Sequence, residues 1–277
     1  MPVPADSHVH SEWSWDAFDG SMEQTCARAV ELGLPAVAFT DHMDFTVWRP
    51  ADGELDQIDR LEVSLTPDGV LAPPEMDVDG YLNCVEHCRE RFPDLRIITG
   101  VELGEAHRNA EAAARLLGSG QFERVNGSLH CLPVGEEFLE PTGLYRLWPT
   151  AKVIEEYLAE IPRMIQGSDL FGVLAHIDYP VRYWPAEAPQ FNPQDFEDEF
   201  RQAMRAVADS GRALELNTSR QLNPWIVQWW RDEGGRAVTF GSDSHDPDHV
   251  GQRFADATAL AEAHGFRPSR PYDFWTR

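Results

Sequence analysis

The stretch TCARAVELGLPAVAFTDH, residues 25–42, contains one complete unit of the pattern that decides the fold of this chain. An amphipathic helical pattern over Met22–Leu32 begins behind a capping box formed by Ser21 and Gln24, and Gly33 ends it. The apolar run after the glycine predicts a buried strand, which leads directly into an aspartate and a histidine. The unit therefore predicts a helix, a strand, and then two side chains, a carboxylate and an imidazole, that can bind a metal or transfer a proton.

The same alternation of helical and strand patterns extends over the whole chain. Strands are predicted at Pro4–His8, Ala36–Thr40, Leu95–Val101, Arg124–Ser128, Phe171–His176, Ala213–Asn217 and Ala237–Gly241. Helical patterns lie at Met22–Leu32, Gly80–Arg91, Asn109–Leu117, Thr150–Ile165, Pro193–Asp209, Pro224–Glu233 and Asp248–His264. Seven repeats, without a second block of different composition, predict a single parallel α/β domain over residues 1–277.

Side chains that bind metals gather at the trailing ends of these strands. Six of the ten histidines lie there, with carboxylates in equivalent places: His8, His10, His42, His130, His176, His245, Glu102 and Asp243. Imidazole and carboxylate bind zinc, manganese and iron. One His-x-His pair has an equally good structural explanation. The same context at five further strand ends predicts one polynuclear metal centre.

Ligands contributed by nearly every strand favour a closed barrel over an open sheet. The strand ends of an open sheet lie along a line too long for one site, whereas a barrel brings them round one rim. We therefore predict a distorted (β/α)7 barrel with the metal site at the C-terminal ends of the strands. Two segments, at about 43–79 and 132–149, are longer than connecting loops, and we expect them to form insertions at the active face.

Charge and composition limit the possible partners. The formal net charge is −24, which counts against nucleic acid because polymer-binding proteins neutralise phosphates with Lys and Arg. No apolar stretch is long enough to cross a membrane, and a ligand as early as His8 leaves no room for a signal peptide. The four cysteines are too few and too irregular for a disulfide framework. We expect a cytoplasmic protein, and the pattern predicts no oligomeric state.

Several short motifs together resemble those of the polymerase and histidinol phosphatase (PHP) family. They are DSHVH-S, TCARAVELGLPAVAFTDHMDF, VNGSLH, LELNTS and GSDSHDPDHVG, and the resemblance extends from about residue 5 to residue 266. The histidinol-phosphatase branch is the best match. The resemblance implies a distorted seven-stranded (β/α) barrel, a centre of three divalent metal ions (zinc, manganese or iron), and phosphoesterase activity.

The resemblance also implies how the ligands are divided among three metals. The first ligand set is His8, His10, Glu102 and Asp243, the second is Glu102, His130 and His176, and the third is Asp16, His42 and His245. Some relatives have a histidine in place of Asp16, and Glu12 is an alternative ligand there. Catalytic roles fall to Glu102, Asp243 and His245. Two metals about 3.5–4 Å apart share a hydroxide and direct it at phosphorus.

Residues that bind the substrate are predicted from their positions. Phosphate recruits guanidinium for its bidentate geometry, and Arg182 and Arg220 each follow a predicted strand. His107 follows the strand of Glu102, where it either enters the pocket or orients a ligand. These three residues are the predicted contacts to a small phosphorylated substrate.

The expected function is hydrolysis of a small phosphate monoester, most simply L-histidinol phosphate in histidine biosynthesis. Three alternatives stay open. The same centre could act on another ester, such as a nucleotide. An amidohydrolase-like barrel also uses His-x-His, but the one lysine, Lys152, lies in a helical pattern and is a poor carbamylated ligand. A non-catalytic, metal-stabilised module would not need the complete ligand set.

Overall fold

Seven parallel strands form the central sheet of the computed structural model, which describes residues 3–51, 65–269 and 274–277. The strands of the chain are β1 (Asp6–Val9), β2 (Ala36–Met43), β3 (Arg96–Gly104), β4 (Arg124–Ser128), β5 (Leu132–Val134), β6 (Glu137–Leu139), β7 (Val173–Leu174), β8 (Ala213–Asn217), β9 (Ala237–Gly241), β10 (Arg267–Pro268) and β11 (Trp275–Thr276). The parallel order is β1-β2-β3-β4-β7-β8-β9, and β11 and β10 continue it antiparallel.

Helices connect the parallel strands. They are α1 (Met22–Leu32), α2 (Val78–Arg91), α3 (Ala110–Leu117), α4 (Pro141–Leu147), α5 (Thr150–Gly167), α6 (Glu197–Asp209), α7 (Pro224–Asp232) and α8 (Phe254–Ala263). Every connection between neighbouring parallel strands contains at least one of them, so the predicted α/β class is confirmed. None of the helices in the described ranges is long and apolar enough to span a membrane.

The sheet curls so that β1 approaches the chain that follows β9. The backbone N–H of His10 donates to the carbonyl of Ser244 at 2.8 Å, and the N–H of Asp243 donates to the carbonyl of His8 at 2.8 Å. Towards its other end, β9 pairs with β11 instead. We call this junction of β1 with the residues after β9 the seam. It places predicted ligands from the two ends of the chain side by side.

Local packing holds the helices in place along this sheet. The hydroxyl of Ser21 accepts a hydrogen bond from the N–H of Gln24, and Gly33 adopts a left-handed φ of 69° after α1, as the sequence predicts. In α2, the buried Tyr81 hydroxyl donates to the carbonyl of Phe39 at 2.8 Å and accepts from the N–H of Gly100 at 2.9 Å. This one side chain ties α2 to both β2 and β3.

Some predicted strand boundaries are wrong by a few residues. β2 and β3 continue past their predicted ends because the two strands stay in register, with His42 opposite Glu102. β7 has only two residues, and His176 follows it with a φ of 20°, outside the strand region. Ligands predicted to follow β2 and β3 therefore lie inside them, on rigid backbone.

Two helix starts and the C-terminal strands also differ from the prediction. The helices predicted from Pro193 and Asp248 begin at Glu197 and Phe254, each after a single turn of 3₁₀ helix. The strands β10 and β11 are not predicted, because two-residue strands are too short to show a periodic pattern.

The two predicted insertions contact each other beside the strand ends. Residues 52–64 of the first lie outside the described residues. The second consists of the hairpin β5–β6 followed by α4. The N–H of Arg49 donates to the carbonyl of Phe138 at 2.9 Å, and its guanidinium lies 2.7 Å from Glu137. The described parts of the two insertions therefore meet beside the end of the sheet that carries the predicted ligands.

Candidate metal centre

The first ligand set comes together at the carboxyl ends of β1, β3 and β9. The Nε2 atoms of His8 and His10 are 3.2 Å apart, because alternate residues of a strand share one face. Glu102 Oε2 lies 3.1 Å from Nε2 of His8 and 3.3 Å from Nε2 of His10. Asp243 Oδ1 lies 3.5 Å and 3.3 Å from the same two nitrogens.

These separations match the size of a tetrahedral metal site. A zinc ion with ligands at about 2.0–2.1 Å separates its donor atoms by about 3.3–3.4 Å. The five separations that involve a histidine of the first set range from 3.1 to 3.5 Å, and all four donors lie within 4.8 Å of one another. Its two imidazoles and two carboxylates suit zinc, manganese and iron. The first ligand set therefore fits one divalent ion without rearrangement.

Glu102 extends to the second ligand set through its other oxygen. Oε1 lies 2.7 Å from Nε2 of His176 and 3.3 Å from Nε2 of His130. The hydroxyl of Ser128 donates to the same oxygen. One buried carboxylate thus faces two groups of histidines, which is the arrangement a bridging ligand requires.

The third ligand set contains Asp16. Its Oδ2 lies 3.4 Å from Nε2 of His42 and 3.2 Å from Nε2 of His245. The alternative ligand, Glu12, is exposed, and its carboxylate accepts the first backbone N–H of α1 at 2.5 Å. The structure therefore brings Asp16, and not Glu12, to this set.

Hydrogen bonds behind the imidazoles of β1 control which nitrogen faces the centre. The Nδ1 of His8 lies 2.6 Å from Oε2 of Glu215. The hydroxyl of Ser14 donates to Asp41 at 2.9 Å, so it accepts the Nδ1–H of His10, also at 2.9 Å. A proton fixed on Nδ1 leaves Nε2 free to bind a metal. Asp41 thus acts on His10 through a serine.

A third carboxylate, Asp44, lies behind two further histidines. Its oxygens are 3.1 Å from Nδ1 of His42 and 3.9 Å from Nδ1 of His130, and it accepts the indole N–H of Trp15 at 3.0 Å. A Cβ atom at Gly104 would collide with this carboxylate, so the glycine is needed for the close approach. His42, Asp44 and His130 form a further group able to hold a cation.

The pKa values of these groups show strong interactions between imidazoles and carboxylates. Burial lowers the pKa of His8, but the carboxylates of Glu215, Glu102 and Asp243 outweigh burial and hold that pKa well above its ordinary value. Burial also opposes the charged form of His130, yet Glu102 raises the pKa of this residue to about 9. Burial favours the neutral forms of Glu102 and Asp243, but the nearby histidines hold both pKa values well below the usual range. The imidazoles and carboxylates thus stabilise each other's charged forms in this buried cluster.

Backbone strain is concentrated here. Among the described residues, four that are not glycine have a positive φ, and three of them line the cavity beside the ligands: Glu105 (41°), His176 (20°) and Asp243 (54°). Each such conformation costs on the order of 1–3 kcal/mol and persists only where its surroundings compensate. Strain of this kind often accompanies functional sites.

A cavity of about 210 Å³ opens over the three ligand sets. Besides the ligands, its walls include Trp15, Trp48, Tyr179, Tyr183 and Arg182. The Nη1 of Arg182 donates to Asp243 Oδ2 at 2.7 Å. Its Nη2 is buried and has no hydrogen-bond partner within the described parts of the chain. Arg182 therefore lies beside the candidate metal ligands with one guanidinium nitrogen that has no partner among the described residues.

Arg220 and His107 do not join this cavity. Arg220 is exposed to solvent in the loop after β8 and is not part of the lining. The Nε2 of His107 lies 2.7 Å from Oε1 of Glu160, which belongs to α5, and His107 is outside the lining as well. The structure thus places these two predicted substrate contacts outside the cavity lining. Position after a strand was the only basis of the prediction, and each side chain turns to a different environment.

The supporting roles of Glu215 and Glu105 are not predicted by the sequence analysis. Glu215 stands between two leucines in a strand whose residues are all buried, which is the signal that could have identified it. Glu105 accepts the backbone N–H groups of His130 and Cys131 at 2.7 and 2.9 Å, so it holds the loop that carries a ligand. No local pattern distinguishes Glu105 from a solvated loop residue.

The chain is similar to known proteins over most of its length. The chain is 26% identical to a probable histidinol-phosphatase of Clostridium acetobutylicum over 95% of this chain and 94% of that protein. It is 25% identical to the histidinol-phosphatase of Lactococcus lactis over 87% of this chain and 83% of that protein.

Two solved structures share the fold. A histidinol phosphate phosphatase from Lactococcus lactis, solved with zinc, L-histidinol and phosphate, has a TM-score of 0.80 at 21% identity and covers 99% of this chain and 97% of its own. A putative histidinol phosphatase from Listeria monocytogenes has a TM-score of 0.71 at 18% identity, and the match covers 91% of this chain and 99% of that protein. The PHP domain family model matches residues 6–219. This chain therefore belongs to the PHP domain family.

Proposed function

We propose that this chain is a metal-dependent phosphoesterase that hydrolyses L-histidinol phosphate to L-histidinol and inorganic phosphate. The observation that carries the proposal is the first ligand set, whose four donors are spaced for one divalent ion and which shares Glu102 with the second set. The names of the relatives from Clostridium acetobutylicum and Lactococcus lactis support this substrate.

The proposal includes three divalent ions, one for each ligand set. Zinc is supported by the structure from Lactococcus lactis, and the same donors accept manganese and iron. It also describes the curled sheet as a distorted (β/α)7 barrel in a single domain over residues 1–277. Seven parallel strands and the hydrogen bonds across the seam support that description.

The residues of the chain divide the work of hydrolysis. Bound divalent ions supply charge neutralisation for the phosphate and acidify the attacking water. Arg182, which lines the cavity, binds the phosphate while Asp243 holds its Nη1. Glu102 fixes the first and second ligand sets relative to each other, and His245, whose side chain is 36% exposed, carries the third set at the open side of the cavity. Glu102, Asp243 and His245 are the proposed catalytic residues.

The remainder of the cavity suits the organic part of this substrate. Asp44, Glu105 and Glu140 line the wall and belong to none of the three ligand sets. Their carboxylates complement an ammonium group. The indole rings of Trp15 and Trp48 form an edge-on pair with centroids 5.6 Å apart, which is a suitable surface for an imidazole ring.

The amidohydrolase alternative finds no support at this site. Its carbamylated lysine would have to reach the metals, but Lys152 lies in α5 with its Nζ 4.3 Å from the ring of Trp148 and outside the cavity lining. The alternative that the protein hydrolyses a different phosphate ester requires the same metal centre. An assay of several esters distinguishes it from the proposed activity on L-histidinol phosphate.

The test is a phosphatase panel with protein loaded with zinc or manganese. L-Histidinol phosphate should be the best substrate, and nucleoside monophosphates, sugar phosphates and a phosphodiester should be hydrolysed far more slowly. The variant Glu102→Gln keeps the shape of the bridge but loses its charge, and it should be inactive on every ester. Rapid turnover of another ester, with negligible activity on L-histidinol phosphate, would overturn the proposed substrate.

A further inference from the structure

A buried carboxylate stands directly behind the first ligand set. The Nε2 of His8 faces the donors of Glu102 and Asp243, and its Nδ1 lies 2.6 Å from Oε2 of Glu215. The side chains of His8 and Glu215 are both fully buried. A histidine that binds metal through Nε2 keeps its proton on Nδ1. The proton between His8 and Glu215 therefore forms a charge-assisted hydrogen bond, and not a contact with solvent.

The other oxygen of Glu215 connects to the opposite side of the same set. Asn217, two residues further along β8 and on the same face, donates its Nδ2 to Oε1 of Glu215 at 2.5 Å. The same nitrogen lies 3.2 Å from Oδ2 of Asp243. Glu215 and Asn217 thus join two ligands, His8 and Asp243, that belong to opposite sides of the seam.

The neighbouring strand leaves room for this connection. A Cβ atom at Gly241, in β9, would lie 2.6 Å from Cβ of His8 and 2.9 Å from the carboxylate carbon of Glu215. A residue with a side chain would push the histidine and the glutamate apart. The close approach of β8 and β1 at this point depends on the glycine.

The three ligand sets differ in the charge that supports them. The first set has two carboxylates as ligands and Glu215 behind one histidine. The second shares Glu102, and the Nδ1 of His176 has no hydrogen-bond partner among the described residues. The third has one carboxylate ligand, Asp16, and the partly exposed His245, and the Nδ1 of His42 lies 3.1 Å from Asp44, a longer separation than that of His8 from Glu215. A buried carboxylate hydrogen-bonded to a ligating imidazole raises the basicity of that ligand and the affinity for the metal.

We propose that Glu215 is a positioning residue that makes the first ligand set the tightest metal site of the centre. It fixes the ring of His8 with Nε2 towards the metal, and Asn217 transmits the same constraint to Asp243. This inference rests on the proposed metal centre, but it concerns the order of metal affinities and not the substrate. Removing Glu215 weakens one site of three.

The test is a zinc titration against a competing chelator, with bound metal counted by elemental analysis and no substrate present. The unmodified protein should retain one zinc equivalent at chelator concentrations that remove the others. Glu215→Gln can still accept a hydrogen bond from the Nδ1–H of His8 but has no charge. Glu215→Ala loses both the hydrogen-bond acceptor and the charge. We expect the tightest site to weaken about 10-fold in the first variant and about 100-fold in the second.

Glu160→Gln is the matched control. Glu160 is also a buried glutamate with an oxygen 2.7 Å from a histidine nitrogen, but its partner His107 lies outside the centre. This control should leave zinc affinity unchanged. If Glu215→Ala does not fold, Glu215→Gln carries the test, with folding checked by circular dichroism and the Nδ1–H of His8 followed by nitrogen-15 NMR.

The titration distinguishes failure of the proposed metal centre from failure of the inference about Glu215. If the unmodified protein binds no zinc, the proposed metal centre fails. If it binds zinc and Glu215→Gln holds the tightest equivalent as strongly as the control does, with an unshifted His8 Nδ1–H signal, the inference about Glu215 is overturned while the centre stands.

Discussion

Arg182 donates from Nη1 to Oδ2 of Asp243 at 2.7 Å, while Oδ1 of the same aspartate faces His8 and His10. One carboxylate therefore serves a predicted metal site and a predicted phosphate contact at once. Arg182 lines the cavity, and its buried Nη2 has no hydrogen-bond partner among the described residues. In the proposed function, a phosphate bound by Arg182 is thus coupled to the candidate metal ligand Asp243.

Substitution of Arg182 should reduce phosphate-ester hydrolysis, and Arg220 provides a control. Arg182→Ala should lower kcat/KM about 100-fold, because a fixed donor to a charged oxygen is lost. Arg182→Lys should restore only part of this loss, since one ammonium cannot hold Asp243 and phosphate together. Arg220→Ala, at an exposed position outside the lining, should stay within about twofold of the unmodified protein. Equal losses for the two alanine variants would contradict this assignment.

Asp16 and Glu12 form a second matched pair. Asp16→Asn should remove one zinc equivalent and lower kcat, because Oδ2 of Asp16 lies 3.4 and 3.2 Å from the Nε2 atoms of His42 and His245. Glu12→Gln should keep all the zinc, since this carboxylate accepts the first N–H of α1 instead. Its expected effect is a loss of about 0.5–1 kcal/mol of stability. Elemental analysis and urea unfolding of both variants measure these effects. Zinc loss from Glu12→Gln alone would reverse the assignment.

Ligand positions could be predicted because the signal repeats locally. His8 and His10 end one strand, His130 and His176 follow others, and each belongs to a short motif that can be read without knowing the fold. Strand ends on one sheet edge must lie near each other, so the shared site follows from the pattern of strands.

The supporting residues could not be predicted in the same way. Glu215 meets His8 across 207 positions of sequence, and nothing near either residue specifies the other. Asp44 can approach the histidines only because Gly104 has no side chain. This close contact is visible only in the packed structure. Arg182 and Arg220 look alike in sequence, and the turn that follows each strand decides which one faces the cavity.

The stability of the fold should depend on pH through Glu160, far from the metal ligands. Burial raises the pKa of this carboxyl, but the hydrogen bonds from His107 and Arg163 and the charge of Arg108 outweigh burial and lower it to about 2, from 4.5. A lowered pKa in the folded state stabilises the protein above about pH 4.5, and this contribution is lost as the pH falls through 4.5 towards 2. Glu160→Gln should therefore reduce the free energy of unfolding by on the order of 1–3 kcal/mol at pH 6.

Urea unfolding of metal-free protein at pH 6 and pH 3 measures this dependence. The difference between Glu160→Gln and the unmodified protein should shrink at pH 3, because Glu160 is then protonated in the unfolded state and must release a proton to form its ion pairs on folding. A difference of the same size at both values would mean that the charge of Glu160 contributes nothing and that only packing is lost.

Removal of metal should destabilise the protein and loosen the seam in particular. The first ligand set joins His8 and His10 of β1 to Asp243, which follows β9, so a bound ion crosses the same junction as the backbone hydrogen bonds of His10 and Asp243. Zinc at 100 times its dissociation constant stabilises a folded protein by about 2.7 kcal/mol. For a chain of this size that corresponds to a Tm about 5–10 °C higher than that of the metal-free protein.

Hydrogen exchange locates this effect. The amides of His10 and Asp243, which donate across the seam, should gain the most protection when zinc is added, and amides of α6 on the outside of the sheet should gain least. The same titration of Asp243→Asn should show a weaker gain at His10, because one donor of the crossing site is impaired. If zinc raises the Tm but leaves the exchange of both seam amides unchanged, the ion binds without joining β1 to the end of β9.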